Sequence, residues 1–216
     1  MNNGEMGRIA EDTLRRAGFE SEAPETVYQL SLYLQEVDFW NARMHLVGKG
    51  RFGTSLELLV FDSLALLNAA DESGIAALRV ADIGSGAGFP GLVWKIVRSK
   101  LELTLFERRL KPQLFLERVV ALLGLKGITV FGGDAANFKE TGEFDLVVSK
   151  AAGRLAGILP LADKLLGPGG AYITVKGRSW ESEMPQNVQS RMRLESAVEL
   201  PEKRGTALVF RKNLPG

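Results

Sequence analysis

The feature that most constrains the fold is a short apolar run that leads directly into a glycine-rich segment. Residues 79–83, RVADI, predict a buried β-strand, and residues 84–91, GSGAGFPG, contain four glycines. Glycine has no side chain and adopts backbone conformations that other residues rarely adopt, so a ligand can approach such a turn closely. A helix that begins near Pro90 would add free N–H groups at its first turn. The segment therefore predicts either a plain strand-to-helix turn or a loop that cradles a small molecule.

From about residue 76 the chain alternates between β-rich and helical runs. The β-rich runs are RVADIG, LELTLFE, ITVFG, FDLVVSK and AYITVKG, and helical runs such as PQLFLERVVALLG lie between them. Strands separated by helices form right-handed crossovers and a parallel sheet covered on both faces. Two further extended runs, ESAVEL and TALVFRK, are close together and predict an antiparallel hairpin at the sheet edge. This order is typical of the class I methyltransferase fold, a Rossmann-like doubly wound α/β sheet with a C-terminal antiparallel β-hairpin.

Up to about residue 75 the apolar residues recur at helical spacing. This spacing predicts helices at about 7–17, 24–40 and 54–69. We therefore expect an N-terminal helical extension over 1–75, packed on a cofactor-binding domain over 76–216. We expect the aromatic residues Phe39, Trp40 and Phe61 to pack this extension onto the sheet.

The composition narrows the possible chemistry. The absence of cysteine among 216 residues excludes thiolate metal sites and cysteine nucleophiles, and it favours a cytoplasmic location. The single histidine, His45, cannot form a multi-histidine metal site, and we interpret it as structural. With 27 Lys+Arg against 26 Asp+Glu, the net charge is +1, so a nucleic acid would need a local basic patch. No apolar run approaches the ~18 residues of a membrane-spanning helix. We expect no metal and no membrane partner.

The spacing of the glycines indicates the kind of ligand. Dinucleotide-binding folds use G-x-G-x-x-G to bind a pyrophosphate, whereas this chain has G-x-G-x-G, with Asp82 two residues before the first glycine. A carboxylate at the strand end would repel a pyrophosphate and attract the positive charges of S-adenosyl-L-methionine. We expect five residues here to contact this cofactor: Asp82, Gly84, Ser85, Gly86 and Gly88.

Acidic residues also close the second and third strands. Glu107 is predicted to accept hydrogen bonds from both ribose hydroxyls, or alternatively to pair only with Arg108 or Arg109. Asp134 could accept a hydrogen bond from the adenine amino group, with the small Ala135–Ala136 pair leaving room for the base, or it could only cap the next short helix.

Basic residues follow the fourth and fifth strands. Ligands of open α/β sheets bind outside the carboxyl ends of the strands, where Lys150 and Lys176 lie. Together with Arg154 and Arg178 they predict a basic rim for RNA phosphates, although lysines at strand ends are commonly only solvated. We expect Lys150, Lys176 and Arg178 to position the substrate.

Several segments together resemble one particular family. They are Trp40-Asn41 with His45-Leu46-Val47, Asp62-Ser63-Leu64, ADIGSGAGFPG, FDLVVSKA and TVKG. Over about residues 30–212 the chain resembles the RsmG (GidB) family of bacterial methyltransferases, which modify guanine N7 in 16S ribosomal RNA. The resemblance implies S-adenosylmethionine as cofactor and ribosomal RNA or the small ribosomal subunit as partner. It also implies cofactor contacts at Gly84, Phe89, Ala135–Ala136 and Lys150. We expect a monomer.

The chain departs from this family's pattern at several positions. These are Leu58-Leu59 in place of R-H, Glu107 in place of Asp, Asp134 and Lys150 in place of arginines, and Ala136 in place of Glu. Arginine and lysine are not interchangeable where planar or bidentate contacts matter, and an aspartate in place of an arginine reverses the charge. The chain could therefore be a divergent member of the family with another substrate. The alternatives are a small-molecule methyltransferase and a non-catalytic methyltransferase-like protein of ribosome assembly. Guanine N7 already carries a lone pair and needs no general base, so we assign no chemical catalyst.

Overall fold

The structure is a computed structural model that describes residues 3–19, 23–47, 55–185 and 191–214. Its helices are α1 (Asn3–Arg16), α2 (Pro24–Met44), α3 (Leu56–Glu72), α4 (Gly91–Val97), α5 (Leu110–Leu122) and α6 (Leu155–Leu165). Its strands are β1 (Arg79–Ile83), β2 (Glu102–Glu107), β3 (Ile128–Gly132), β4 (Phe144–Lys150), β5 (Leu166–Lys176), β6 (Met192–Glu199) and β7 (Thr206–Lys212). Short 3₁₀ turns lie at Ala135–Asn137, Trp180–Glu183 and Pro201–Lys203.

The strands form one sheet in the order β3-β2-β1-β4-β5-β7-β6. The first five strands pair in parallel, and β7 is antiparallel to both β5 and β6. This confirms the predicted doubly wound sheet with a C-terminal hairpin. Because β1 to β4 are parallel, their carboxyl ends lie at one edge of the sheet, and the strand order reverses between β1 and β4. Ligands of open α/β sheets bind at such a switch point.

The N-terminal helices share a hydrophobic cluster with one face of the sheet. Leu34 of α2 and Leu64 of α3 belong to the same buried cluster as Val80 of β1 and Trp94 of α4. The Trp94 indole Nε1 donates to the Ser63 carbonyl at 2.6 Å, which ties α3 to α4. The helical extension is therefore packed on the sheet, and its division from the rest at residue 75 stays a prediction. Every helix within the described ranges is too short or too polar to cross a bilayer.

Two local expectations were wrong. Phe39 was expected to pack inward, but its side chain is 51% exposed and lies under the guanidinium of Arg43, 3.8 Å from the ring centroid. The reason is its place on α2, where Leu34 and Val37 form the buried stripe and Phe39 points away from it. Strand β5 also begins at Leu166, five residues before the predicted AYITVKG run, because Leu166 pairs with Phe144 across a register shift.

Candidate functional site

A cavity of about 690 Å³ opens at the edge where β1 to β4 end. It is lined by the loops that follow these four strands and by the first turns of α6, including Gly84, Phe106, Glu107, Arg109, Asp134, Ala135, Ala136, Ala152, Gly153, Arg154, Ile158 and Leu161. This volume falls within the range of small-molecule and cofactor sites. The cavity thus lies at the switch point of the sheet, where a ligand is expected.

The glycines of the loop after β1 have two different roles. Gly84 borders the cavity at φ 73°, and a Cβ there would lie only 3.1 Å from the Cβ of Ala152. Gly88 instead packs the loop onto α4, because a Cβ there would lie 2.5 Å from Cδ1 of Leu92. The amides of Gly84 and Ser85 both donate to the Phe106 carbonyl, at 2.8 and 3.1 Å. The loop is therefore fixed to β2 and leaves the Gly84 backbone at the cavity wall.

Glu107 borders the cavity and is almost fully buried. Its carboxylate accepts hydrogen bonds from the Gly86 amide at 3.0 Å and from the Arg109 amide at 2.9 Å. The Arg109 guanidinium contacts both oxygens, through Nε to Oε1 at 3.2 Å and Nη2 to Oε2 at 3.4 Å. Burial would raise the pKa of Glu107, but the hydrogen bonds and charge of Arg109 outweigh it and the pKa is lowered. The carboxylate therefore stays ionised.

Asp134 caps the 3₁₀ turn and also borders the cavity, and its contact with adenine stays a prediction. Its Oδ1 accepts from the Ala136 amide at 3.0 Å and so caps the 3₁₀ turn, while the residue also lines the cavity. Its Oδ2 lies 3.6 Å from Nη1 of Arg108. Lys164 of α6, which also lines the cavity, donates to the carbonyls of Ala136 and Phe138, both at 2.7 Å, and fixes the turn.

Asp82 lies beneath the glycine-rich loop and is not part of the described cavity wall. It is fully buried, and its Oδ2 accepts from the Gly91 amide at 3.1 Å, while its Oδ1 has no hydrogen-bond partner among the described groups. Burial raises the pKa of Asp82 to about 7. A Cβ at Gly91 would lie 2.7 Å from this carboxylate, so glycine is required there. In this structure Asp82 anchors the start of α4.

Lys150 also lies outside the described cavity wall, on the other face of the sheet. Its ammonium lies 3.6 Å from Oδ2 of Asp62 in α3 and 5.8 Å from the ring centroid of Phe89. Phe89 is likewise buried, with its ring 5.2 Å from that of Tyr33. Burial lowers the pKa of Lys150. The structure therefore places neither Lys150 nor Phe89 in the described cavity wall, and their contacts with the cofactor stay predictions.

Lys176 is engaged in internal contacts instead of being solvated at the rim. Its ammonium donates to the Gly153 carbonyl at 2.5 Å and to Glu183 Oε2 at 2.9 Å. The loop after β4 carries Ala151 at φ 58° and Gly153 at φ 135°, and Lys176 holds this loop against the 3₁₀ turn that contains Glu183. The predicted basic rim is thus reduced to the two exposed arginines, Arg154 and Arg178.

Five of the predicted cofactor residues are brought together around the cavity: Gly84, Glu107, Asp134, Ala135 and Ala136. The other six lie outside its wall as far as the structure describes it: Asp82, Ser85, Gly86, Gly88, Phe89 and Lys150. Sequence reasoning missed Ala152 and Gly153 and the contribution of α6 through Ile158 and Leu161. The small-residue run AAG after β4 was the available signal, since it resembles the Ala135–Ala136 pair.

Comparison with known proteins agrees with this geometry. The family described as GidB, rRNA small subunit methyltransferase G, matches residues 26–206. The chain is similar to ribosomal RNA small subunit methyltransferase G of Moorella thermoacetica, 36% identical over 202 residues that cover 89% of this chain and 78% of that protein. It is also similar to the protein of the same name from Polynucleobacter asymbioticus, 35% identical over 169 residues, with coverage of 77% and 76%.

A solved structure supports the fold. It is a SAM-dependent methyltransferase from Aquifex aeolicus, which matches with a TM-score of 0.55 at 18% identity and covers 73% of this chain and 93% of that chain. At this identity the likeness concerns the fold alone. The family match over most of the chain, together with two relatives above 30% identity, is decisive. The chain belongs to the rRNA small subunit methyltransferase G family.

Proposed function

We propose that this protein transfers a methyl group from S-adenosyl-L-methionine to N7 of a guanine in 16S ribosomal RNA. The observation that carries the proposal is the arrangement of Glu107 and Asp134 in one cavity at the switch point of the sheet. The ionised carboxylate suits the ribose of a nucleoside cofactor, and the capped turn of small residues suits its base. Membership of the family supplies the class of substrate.

The residues present fit the proposed cofactor. Glu107 places a carboxylate where the ribose hydroxyls of the cofactor would lie, and Asp134 with Ala135 offers a polar edge and space for adenine. Apolar side chains of Phe106, Ile158 and Leu161 line the same cavity and suit the faces of a base. The methionine part would lie near Gly84 and the loop after β4.

Methyl transfer to guanine N7 requires the protein mainly to position the two reactants. The bound cofactor supplies an electrophilic methyl group on a positively charged sulfur. Guanine N7 has an available lone pair, so no residue needs to remove a proton first. The side chains therefore act by orienting the two reactants and excluding water, which lowers the entropic cost of the encounter. Arg154 and Arg178 would hold RNA phosphates beside the cavity.

A net charge of +1 suits docking through this local pair of arginines better than through a general basic field. The proposed substrate is the 16S RNA within the small ribosomal subunit or its assembly precursor, in the cytoplasm. Protein surfaces of the particle would then complete the recognition that two arginines cannot supply alone.

The test is transfer of a tritiated methyl group to small subunits from cells that lack the family's enzyme, followed by mass-spectrometric mapping of the modified nucleoside. We expect a single N7-methylguanosine in 16S RNA, and no transfer by the Glu107→Gln variant. Transfer to another position would overturn the proposed nucleotide. Cofactor binding without any transfer to ribosomal RNA would overturn the proposed substrate.

A further inference from the structure

The hydrogen-bonding capacity of the Glu107 carboxylate is fully used in this structure. An ionised carboxylate offers about four lone-pair sites, two on each oxygen. In this structure Oε1 accepts from the amide and the Nε of Arg109, and Oε2 accepts from the Gly86 amide and the Arg109 Nη2. All four sites are in use. Two ribose hydroxyls cannot bind Glu107 until two of these donors leave.

The backbone amides and the Arg109 side chain, which both donate to Glu107, differ in how freely they can move. The amides of Gly86 and Arg109 belong to the fixed loop after β1 and to the start of α5, so they remain in place. The Arg109 side chain is 63% exposed, against 6% for Glu107, and it lines the cavity. Rotation of the guanidinium into solvent would free one lone pair on each oxygen. That is the pattern that a 2′,3′-diol requires.

We propose that the Arg109 guanidinium occupies the subsite of the ribose hydroxyls and must be displaced before a nucleoside ligand binds. Arg109 is then an affinity-determining residue, because its guanidinium and the diol compete for the same two lone pairs of Glu107. This inference rests on the proposed use of S-adenosylmethionine. It adds a competitor inside this protein that lowers the apparent affinity for the cofactor.

The experiment is isothermal titration calorimetry with S-adenosylhomocysteine on three full-length proteins: wild type, Arg109→Leu and Arg15→Leu. Arg15 is the matched control, because it is also an arginine with a largely exposed side chain, 55% exposed, and its ion pairs are with Glu11 and Asp12 of α1, away from the cavity. We expect Arg109→Leu to bind the ligand about two- to fivefold more tightly, the range expected for loss of one partly exposed ion pair. Arg15→Leu should bind with the affinity of wild type. Thermal melts check that each variant is folded.

A second readout separates competition from a general structural change. Salt screens an exposed ion pair, so raising ionic strength from about 50 to about 500 mM should strengthen binding to wild type but not to Arg109→Leu. S-adenosylhomocysteine is a zwitterion, so its own charge contributes little to this difference. Adenosine should show the gain in affinity on Arg109→Leu. By contrast, 2′,3′-dideoxyadenosine, which lacks both hydroxyls, should bind both proteins equally.

The outcomes are distinguishable. Equal affinities of wild type and Arg109→Leu overturn this inference and leave the proposed cofactor standing. A gain that is the same for 2′,3′-dideoxyadenosine as for adenosine overturns the competition for the hydroxyl subsite. If none of the three proteins binds S-adenosylhomocysteine at millimolar concentration, the proposed cofactor fails, and this inference fails with it.

Discussion

The guanidinium of Arg204 binds the carboxylate of Asp62 through two contacts, Nε to Oδ1 at 2.5 Å and Nη2 to Oδ2 at 3.1 Å, across 142 positions of sequence. Asp62 belongs to α3, and Arg204 lies between β6 and β7. The ammonium of Lys150, at the end of β4, lies 3.6 Å from the same Oδ2. One carboxylate therefore joins the helical extension, the central sheet and the C-terminal hairpin.

Replacing Asp62 by Asn should destabilise the protein strongly. The variant leaves the charges of Lys150 and Arg204 without their carboxylate in a mostly buried place, which costs about 3 kcal/mol. Urea unfolding measures this change. The control is Asp12→Asn, an exposed partner of Arg15, which should change the free energy of unfolding by less than about 0.5 kcal/mol. A loss for Asp62→Asn no larger than that of the control would contradict the structural role of the cluster.

Strand positions could be predicted from the sequence because buried parallel strands are short apolar runs between turn signals. The runs ITVFG and FDLVVSK coincide with β3 and β4. The direction of Lys150 could not be predicted. Side chains alternate along a strand, so Lys150 faces the same way as Leu146 and Val148, toward α3 and α4. The packing of the helices determines which face of the sheet borders the cavity, and this packing cannot be inferred from the local sequence pattern.

The contacts of the charged residues could not be predicted from the sequence either. The glycine-rich loop and Glu107 could be assigned to one site, because both follow strands whose carboxyl ends share an edge. The contacts of Lys176 with Gly153 and Glu183 could not be predicted, because they join three segments that meet only in the folded chain. Charged residues at strand ends are solvated in some proteins and paired in others, so their type and spacing alone do not decide between solvation and pairing.

Asp82→Asn should change how stability depends on pH. Burial raises the pKa of Asp82 from 3.8 to about 7, so between these values the folded state holds a proton that the unfolded state has lost. The wild type therefore loses stability as pH rises from about 4 to about 7, by on the order of 3 kcal/mol, and this loss is absent in Asp82→Asn. The asparagine keeps an oxygen for the Gly91 amide.

Chemical denaturation of both proteins at about pH 4.5, 6 and 8 measures this effect. The difference in unfolding free energy, variant minus wild type, should rise steadily across the series. Comparing this difference removes the contributions of all other carboxylates, and Asp12→Asn should show no such trend. A difference that stays constant from the lowest to the highest pH would show that Asp82 titrates in its ordinary range.

Lys176→Met should weaken cofactor binding without contacting the cofactor. Methionine keeps much of the apolar stem but loses the donor to the Gly153 carbonyl and the charge beside Glu183. The loop after β4, which forms one wall of the cavity, then loses its attachment. We expect affinity for S-adenosylhomocysteine to fall about five- to tenfold and stability to fall by about 1 kcal/mol.

Calorimetry and urea unfolding on the same preparation separate the two effects. Lys100→Met is the control, since Lys100 is exposed between α4 and β2. A five-fold weakening with little loss of stability supports a local role in holding the loop. Unchanged affinity would mean that the loop keeps its conformation without Lys176.

Arg178→Gln should weaken RNA binding and leave cofactor affinity unchanged. Arg178 is exposed just beyond the end of β5, at the carboxyl edge of the sheet, and glutamine keeps its polarity but not its charge. Loss of one phosphate contact should lower transfer at subsaturating RNA about three- to tenfold and reduce the salt dependence of RNA affinity by about one unit of slope. Arg193→Gln is the matched control. Arg193 is an exposed arginine on β6, and its cross-strand neighbour Arg211 pairs with Ala171 in the middle of β5, away from the carboxyl end at Lys176. If both variants lower transfer equally, the effect reflects overall charge, and the RNA does not bind preferentially at the carboxyl edge.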